Sequence, residues 1–253
     1  RSDEHASDAE VLLVKAQIAS SLNQTDKAAA LYDDVIKQEV QPFGVQARLE
    51  KAMLLNHAGK LDDKAVLAEL EKLRMMWRGD DLELRILTAL SERQLAVGDV
   101  VAGLKTMRIA TVNFPNSDDA RAMGARMPDI FADYFINDGA SNLPPIQALS
   151  LYYDFQDLTP IGRRGDELLR HLAEHLASLD LLPQAETLLR YQIEQRLHGG
   201  VAKAQVAVRL AGLYLLDRKP QEALQTIRAT AQNGLPEDID EQRRLIEARS
   251  LGS

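Results

Sequence analysis

Residues 80–115 read DDLELRILTALSERQLAVGDVVAGLKTMRIATVNFP, and they divide into two helical runs with one turn between them. Asp80 precedes Leu82 and has Glu83 three positions on. That is a capping-box arrangement, which satisfies free N–H groups at a helix start. Gly98-Asp99 is the turn, and Asn113-Phe114-Pro115 ends the second run. Arg78-Gly79-Asp80, like Arg164-Gly165-Asp166 further on, is read as a turn glycine followed by an N-cap aspartate rather than as an adhesion tripeptide.

The same unit recurs on both sides. Before it, Val11, Leu12, Ala16, Ile18, Ala19 and Leu22 fall at helical spacing, a turn follows at Asn23-Gln24-Thr25-Asp26, and Ala28, Leu31, Tyr32, Val35 and Ile36 mark a second helix. A second pair runs from Gly44 to Ala58, turns at Gly59 and returns from Asp62 to Trp77. After it, residues 118–137 predict one helix. The breaker-rich segment 138–145 follows, and a helix starts at Pro144 or Pro145 and runs to Asp157. Beyond the loop from Leu158 to Gly165, two more pairs are expected at 166–180 with 183–197 and at 201–217 with 220–232. A last helix, 237–250, carries Glu241, Arg243, Arg244, Glu247 and Arg249 as a charged outer face that would cap an open end.

Composition agrees with an all-α chain. Leu and Ala dominate, and alternating β-branched runs are nearly absent, which argues against a sheet. The net charge of −8, from 30 basic and 38 acidic residues, lacks the footprint of a nucleic-acid binder. No apolar run approaches the roughly 18 residues of a membrane span, so no direct membrane insertion is expected. The absence of cysteine excludes disulfides, thiolate metal sites and cysteine nucleophiles. The opening Arg1-Ser2-Asp3 reads as a mature product or an excised piece of a longer chain.

These pairs resemble tetratricopeptide repeats (TPR), whose period is about 34 residues. The third pair carries the resemblance in Gly98, Gly103, Met107, Ala110 and Pro115, with Ser91 and Gln94 as departures in its first helix. The first pair carries it in Ala16, Ala19, Asn23, Ala28, Tyr32 and Val35, and the second in Ala52, Leu55 and Gly59, with Lys64 where a small residue belongs. The fourth matches at Ala132, Phe135, Gly139, Ala148, Tyr152, Phe155 and Pro160 around inserted residues. The fifth matches at Ala173, Leu176, Asp180, Ala185 and Leu189, and the sixth at Ala211, Tyr214, Arg218, Ala223 and Ile227. The stretch Phe131 to Leu158 also resembles the TPR portion of large bacterial envelope proteins of unassigned role, which would place the chain in the bacterial periplasm or cell envelope rather than the cytoplasm. The expected organisation is one continuous TPR-like α-solenoid: three pairs over 8–115, an irregular fourth pair over 116–165, two pairs over 166–235 and a capping helix over 236–250.

The resemblance implies a right-handed superhelix whose concave face, lined by the first helix of each pair, binds a protein or peptide. Carrying its groove positions over residue by residue gives Gln17, Ser20 and Ser21 from the first pair, and Asn56 and His57 from the second. Arg85 and Glu92 come from the third, Arg126, Asp129 and Asp133 from the fourth, and Arg170 and Glu174 from the fifth. The Lys and Asn set of a carboxylate clamp is not present in consecutive repeats, so a receptor for C-terminal peptides is not expected. Leu215 and Leu216 also fall at groove positions and are expected to lie under the terminal helix. Phe131, Tyr134, Phe135, Tyr152, Tyr153 and Phe155, at helical spacing, are first of all core.

One string bears on catalysis. His171-Leu172-Ala173-Glu174-His175 spells the inverted zinc-protease pattern, with two histidines on one helix face and Glu174 as base. Only Glu186 or Glu194 offers itself as a third ligand, and His5, His57 and His198 form no cluster. The expectation is therefore a non-catalytic binding scaffold with no metal and no cofactor. The alternatives are a structural spacer or dimerisation module, with self-association as a homo-oligomer, and a zinc-dependent hydrolase on His171 and His175.

Overall fold

A computed structural model describes residues 2–252, with side chains from Ala6 onward; His5 lies outside the described side chains. Among the described residues the protein is all-α, a TPR-like solenoid of antiparallel helix pairs. It divides into two compact units, one ending at Met127 and the other beginning at Pro128.

The first unit contains α1 (Ser2–Ser21), α2 (Thr25–Lys37), α3 (Phe43–His57), α4 (Asp63–Met76), α5 (Asp81–Ala96), α6 (Val100–Asn113) and the start of α7 (Asp118–Ile136). α1 packs on α2 and on α3, and each later helix packs on the one before it as far as α6. Small residues allow the close approaches. Ala16, Ala19 and Ala28 are buried around Tyr32 and Val35. A Cβ added at Gly103 on α6 would stand 2.6 Å from Leu95 Cδ2 on α5. Gln94, which occupies a position where the repeat prefers an apolar side chain, is buried because Thr106 Oγ1 donates to its Oε1 at 2.7 Å. A satisfied polar pair costs little there, whereas an unpaired amide would not be tolerated.

The turn inside each pair is the most regular feature of the chain. Asn23, Gly59, Gly98, Asp180 and Arg218 all adopt positive φ. In each case the next residue's N–H bonds back to a carbonyl in the first helix: Gln24 to Ala19 at 2.9 Å, Lys60 to Leu55 at 2.8 Å, Asp99 to Gln94 at 2.9 Å, Leu181 to Leu176 at 3.0 Å and Lys219 to Tyr214 at 2.7 Å. This is the six-to-one bond of the Schellman ending, which satisfies carbonyls a helix terminus leaves open. In the fourth pair the left-handed residue is Asp138, and a short 3-10 turn over Gly139–Asn142 follows instead.

The second unit continues α7 and adds α8 (Pro145–Asp154), α9 (Arg163–Ser178), α10 (Leu182–Tyr191), α11 (Gly200–Leu216), α12 (Pro220–Ala229) and α13 (Glu237–Leu251). α8 starts at the prolines as expected but ends at Asp154, and a 3-10 turn over Gln156–Leu158 takes the place of its predicted last turn. Phe131, Phe135, Tyr152 and Phe155 are buried core. Phe131 meets Phe135 edge-on at 5.1 Å and stacks on Tyr152 at 6.5 Å, while Tyr153 is exposed.

Two expectations about this unit are corrected. Asp166 is not the N-cap of its helix: α9 begins three residues earlier, after Gly162 at φ 82°. The carboxylate of Asp166 instead accepts from Arg196 Nε at 3.4 Å, and Arg196 Nη2 donates to Pro160 O at 2.6 Å. Gly165 is then a close-approach residue, because a Cβ there would lie 1.9 Å from Pro160 O. Arg243 is not part of a charged outer face. It is 6% exposed and turned inward, where Nη2 donates to Ile227 O at 2.6 Å and Nη1 to Thr230 Oγ1 at 3.2 Å. It thereby satisfies a carbonyl at the end of α12, a place where a cation is favoured.

Candidate functional site

In the first unit two of the predicted groove residues, Gln17 and Arg85, are joined through a residue the sequence reading missed, Glu50 on α3. Gln17 Nε2 of α1 donates to Glu50 Oε2 at 3.0 Å, Tyr32 Oη of α2 to the same oxygen at 3.1 Å, and Arg85 Nη2 of α5 to Oε1 at 2.8 Å. Gln46 Nε2 adds a fourth donor at 3.0 Å. Burial pushes the Glu50 carboxyl up, but the donors Arg85, Gln46 and Gln17 outweigh it and hold its pKa below the ordinary value. Burial and the facing Glu50 charge push the Tyr32 hydroxyl well up, so it remains a donor. Ser20 and Ser21 border the shallow groove of about 590 Å³ above this network.

Asn56 is similarly engaged. Its Nδ2 donates to Leu61 O and to Asp63 Oδ1, both at 3.0 Å, and its Oδ1 accepts from Arg93 at 2.9 Å. His57 is exposed beside it on the rim of a polar recess. Glu92 and Arg126, both predicted groove residues, form an ion pair at 2.5 Å.

In the second unit, Asp133 is bonded to Arg164, and Asp129 lies 3.9 Å from the same guanidinium. Arg170 pairs with Glu174 at 3.0 Å. Both belong to a groove of about 860 Å³ walled by α9, α11 and α13, with Arg209, Leu216, Ile246 and Arg249 as its other principal lining. Leu216 is 70% exposed there. The expectation that the terminal helix covers it is therefore overturned. α13 spends its packed face, Ile239, Arg243 and Ile246, on the body of the unit and leaves the end of α11 open.

Arg209 is the groove residue that sequence reasoning missed. Among the described residues it makes no ion pair within 4 Å, in contrast to Arg85, Arg126 and Arg170. Desolvation lowers its pKa, Glu174 raises it and Arg170 lowers it, with a net shift downward. A guanidinium so placed stays charged and gains from an incoming carboxylate.

The inverted zinc pattern is not assembled. Arg170 Nη2 lies 3.0 Å from His171 Nε2, so a guanidinium occupies the edge a metal would need, and Nδ1 faces Asp138 at 3.6 Å. Glu186, offered as a third ligand, is buried with Oε2 held by Lys219 at 2.8 Å. Among the described residues no group of three His, Asp or Glu side chains is placed to hold a metal ion. No described helix is long and apolar enough to cross a membrane.

No protein-family model matches the chain, and no curated protein matches it. Among solved structures it is similar to a tetratricopeptide repeat protein from Parabacteroides merdae, at 11% identity over 94% of this chain and 98% of that one, with a TM-score of 0.41. It is similar to the TPR2AB domain of yeast Sti1 in its pHSP90 complex, at 14% identity over 97% and 99%, with a TM-score of 0.41. It is also similar to a thermophilic TPR protein of Thermus thermophilus, at 20% identity over 83% and 100%, with a TM-score of 0.32.

Proposed function

We propose that the protein is a non-catalytic scaffold that binds another protein or a peptide, and that its principal binding site is the groove of α9, α11 and α13. The observation that carries this reading is the pairing of an exposed aliphatic side chain, Leu216, with a guanidinium, Arg209, that makes no ion pair within 4 Å among the described residues. Binding energy concentrates where an apolar anchor sits beside a charge-assisted hydrogen-bond donor. Arg170 and Glu174 belong to this site.

The other predicted positions take a different part in the proposal. Gln17, Asn56, Arg85, Glu92, Arg126, Asp129 and Asp133 already have partners within their own units, so a ligand would have to replace existing bonds to use them. Ser20 is hydrogen-bonded to Tyr32 within the Glu50 network, and His57 remains as a contact beside those networks. A bacterial envelope or periplasmic location is retained as part of the proposal on the resemblance of the Phe131–Leu158 stretch alone.

A photo-crosslinking amino acid placed at Leu216 tests the site in cells. The expected result is an adduct with a distinct second protein that is absent when the crosslinker stands at Met75, which is 72% exposed in the first unit. Equal adducts from both positions would overturn the assignment.

A further inference from the structure

The second unit has a smaller recess beside its groove, and the chemistry of that recess is different. It encloses about 230 Å³, and its lining includes Arg163, Asp166, Glu167 and Arg170 of α9, Arg209 of α11, and Gln192. Gln192 opens the π-helical turn Gln192–Arg196 that follows α10, a backbone form that recurs at functional sites. It is 1% exposed. Its Nε2 donates to Asp166 O at 3.4 Å, and its Oε1 is buried with no donor among the described residues. Turning the amide over would set Oε1 against that carbonyl oxygen, so the orphaned atom is an acceptor. A buried acceptor without a donor is costly and uncommon.

The charges of the recess do not cancel in pairs. Its two carboxylates each have a cation: Asp166 accepts from Arg196 at 3.4 Å, and Glu167 lies 3.8 Å from Arg170. Glu174, which acts on Arg209 from beyond ion-pair distance, is bonded to Arg170 at 3.0 Å. Arg163 and Arg209 make no ion pair within 4 Å among the described residues. Two guanidiniums from two different helices therefore line one small space together with one orphaned acceptor.

We propose that this recess binds a phosphate monoester that carries its own hydrogen-bond donor. The phosphate meets Arg163 and Arg209, and the donor, a hydroxyl or an amide N–H, meets Gln192 Oε1. A carboxylate brings one charge, enough for one of the two guanidiniums. A phosphate monoester brings about −1.5 to −2 on three acceptor oxygens and serves both. The space is smaller than the roughly 300–1,000 Å³ of pockets for drug-sized ligands, so the phosphorylated group and its immediate neighbours fill it. Two sources share this chemistry: a small phosphorylated metabolite, and a phosphorylated serine or threonine of another protein. The site goes beyond the protein-binding groove, with which it shares Arg170 and Arg209 but neither Arg163 nor Gln192.

Isothermal titration calorimetry on the intact protein tests this at about pH 8, where the phosphates are dianions. The probes are N-acetyl-O-phosphoserine N-methylamide, glycerol 3-phosphate, and methyl phosphate, which has no donor. At least one of the first two should saturate a single site, and methyl phosphate should bind it at least about tenfold more weakly. Tighter binding of the phosphoserine probe assigns the source to a protein, and tighter binding of glycerol 3-phosphate assigns it to a metabolite. Arg163→Gln and Arg209→Gln should each weaken the better ester at least about tenfold with an unchanged urea midpoint. Arg228→Gln, an exposed arginine paired with Glu247 outside the recess, should not. Gln192→Met should remove the preference over methyl phosphate. The proposal is overturned if neither ester saturates by about 1 mM, or if Arg163→Gln binds as tightly as the intact protein. Either failure leaves the groove reading standing, because that depends on the crosslink at Leu216.

Discussion

Arg85 Nη2 on α5 lies 2.8 Å from Glu50 Oε1 on α3, and this one bond changes the part that a predicted ligand-binding arginine plays. Glu50 gathers donors from α1, α2, α3 and α5, so it ties together four helices of the first unit. Replacing it with glutamine keeps the shape but removes the charge that Arg85, Gln17 and Tyr32 address. Hydrogen bonds to charged groups contribute about 1.5–3 kcal/mol each way, so Glu50→Gln should cost about 2 kcal/mol in urea unfolding. A loss near zero would show that the network is solvent-screened and not structural.

The two buried carboxyls should respond to pH in opposite senses. The Glu50 pKa is depressed in the folded state, so its contribution is fully present above the unfolded carboxyl range and is lost as pH falls through the folded value. Burial raises Glu186, and Lys219, shared with Asp217, only partly offsets this. Its contribution is present at acid pH and is lost as pH rises through its folded value. At pH 7, Glu186→Gln should therefore be neutral or stabilising, while Glu50→Gln is destabilising. Urea midpoints at pH 7 and pH 4 distinguish them, and parallel shifts in both variants would contradict the assignment.

Arg243 holds α13 to the end of α12. Arg243→Met keeps much of the stem's apolar contact but leaves Ile227 O with only the long 3.4 Å donation from Thr230 Oγ1, at a cost of about 1–3 kcal/mol. Limited proteolysis should then cut within residues 237–251 at least tenfold faster than in the intact protein, with the rest of the second unit unchanged. Unaltered cleavage would mean that Ile239 and Ile246 suffice to hold the helix.

Gly165 should tolerate no side chain. The added Cβ of Gly165→Ala would meet the Pro160 carbonyl and the Arg196 guanidinium, and backbone must move to admit it. Overpacking of this kind costs about 1–3 kcal/mol or more. By contrast Gly212→Ala, where a Cβ meets no neighbour within 4 Å, should be neutral or slightly stabilising in the same unfolding assay, as is usual for glycine to alanine within a helix.

Much of the fold was legible because the repeat imposes local demands. The turns at Asn23, Gly59 and Gly98 could be read from the residues, and the repeat resemblance added the turn positions Asp180 and Arg218 and the small residues Ala16, Gly103 and Ala173. Helix starts were less secure: Asp166 has the chemistry of a cap, but the chain enters α9 earlier and a distant residue, Arg196, claims its carboxylate. The site was least legible. Periodicity assigns a polar residue to a face but does not say whether its charge is free. Glu50 draws partners from four helices, Arg243 looks like surface and is buried, and Arg209, unlike Arg85, makes no ion pair within 4 Å among the described residues, which depends on side-chain placement.

The division between a structural network and an open groove is tested most directly by one crossed comparison. Arg85→Ala and Arg209→Glu would each be measured for unfolding midpoint and for recovery of the protein crosslinked at Leu216. Arg85→Ala should lower the midpoint and retain the partner, and Arg209→Glu should leave the midpoint within about 0.5 kcal/mol, as for surface changes, and lose the partner at least tenfold. The reverse pattern, with the partner lost from Arg85→Ala and kept by Arg209→Glu, would place binding on the first unit and contradict the account.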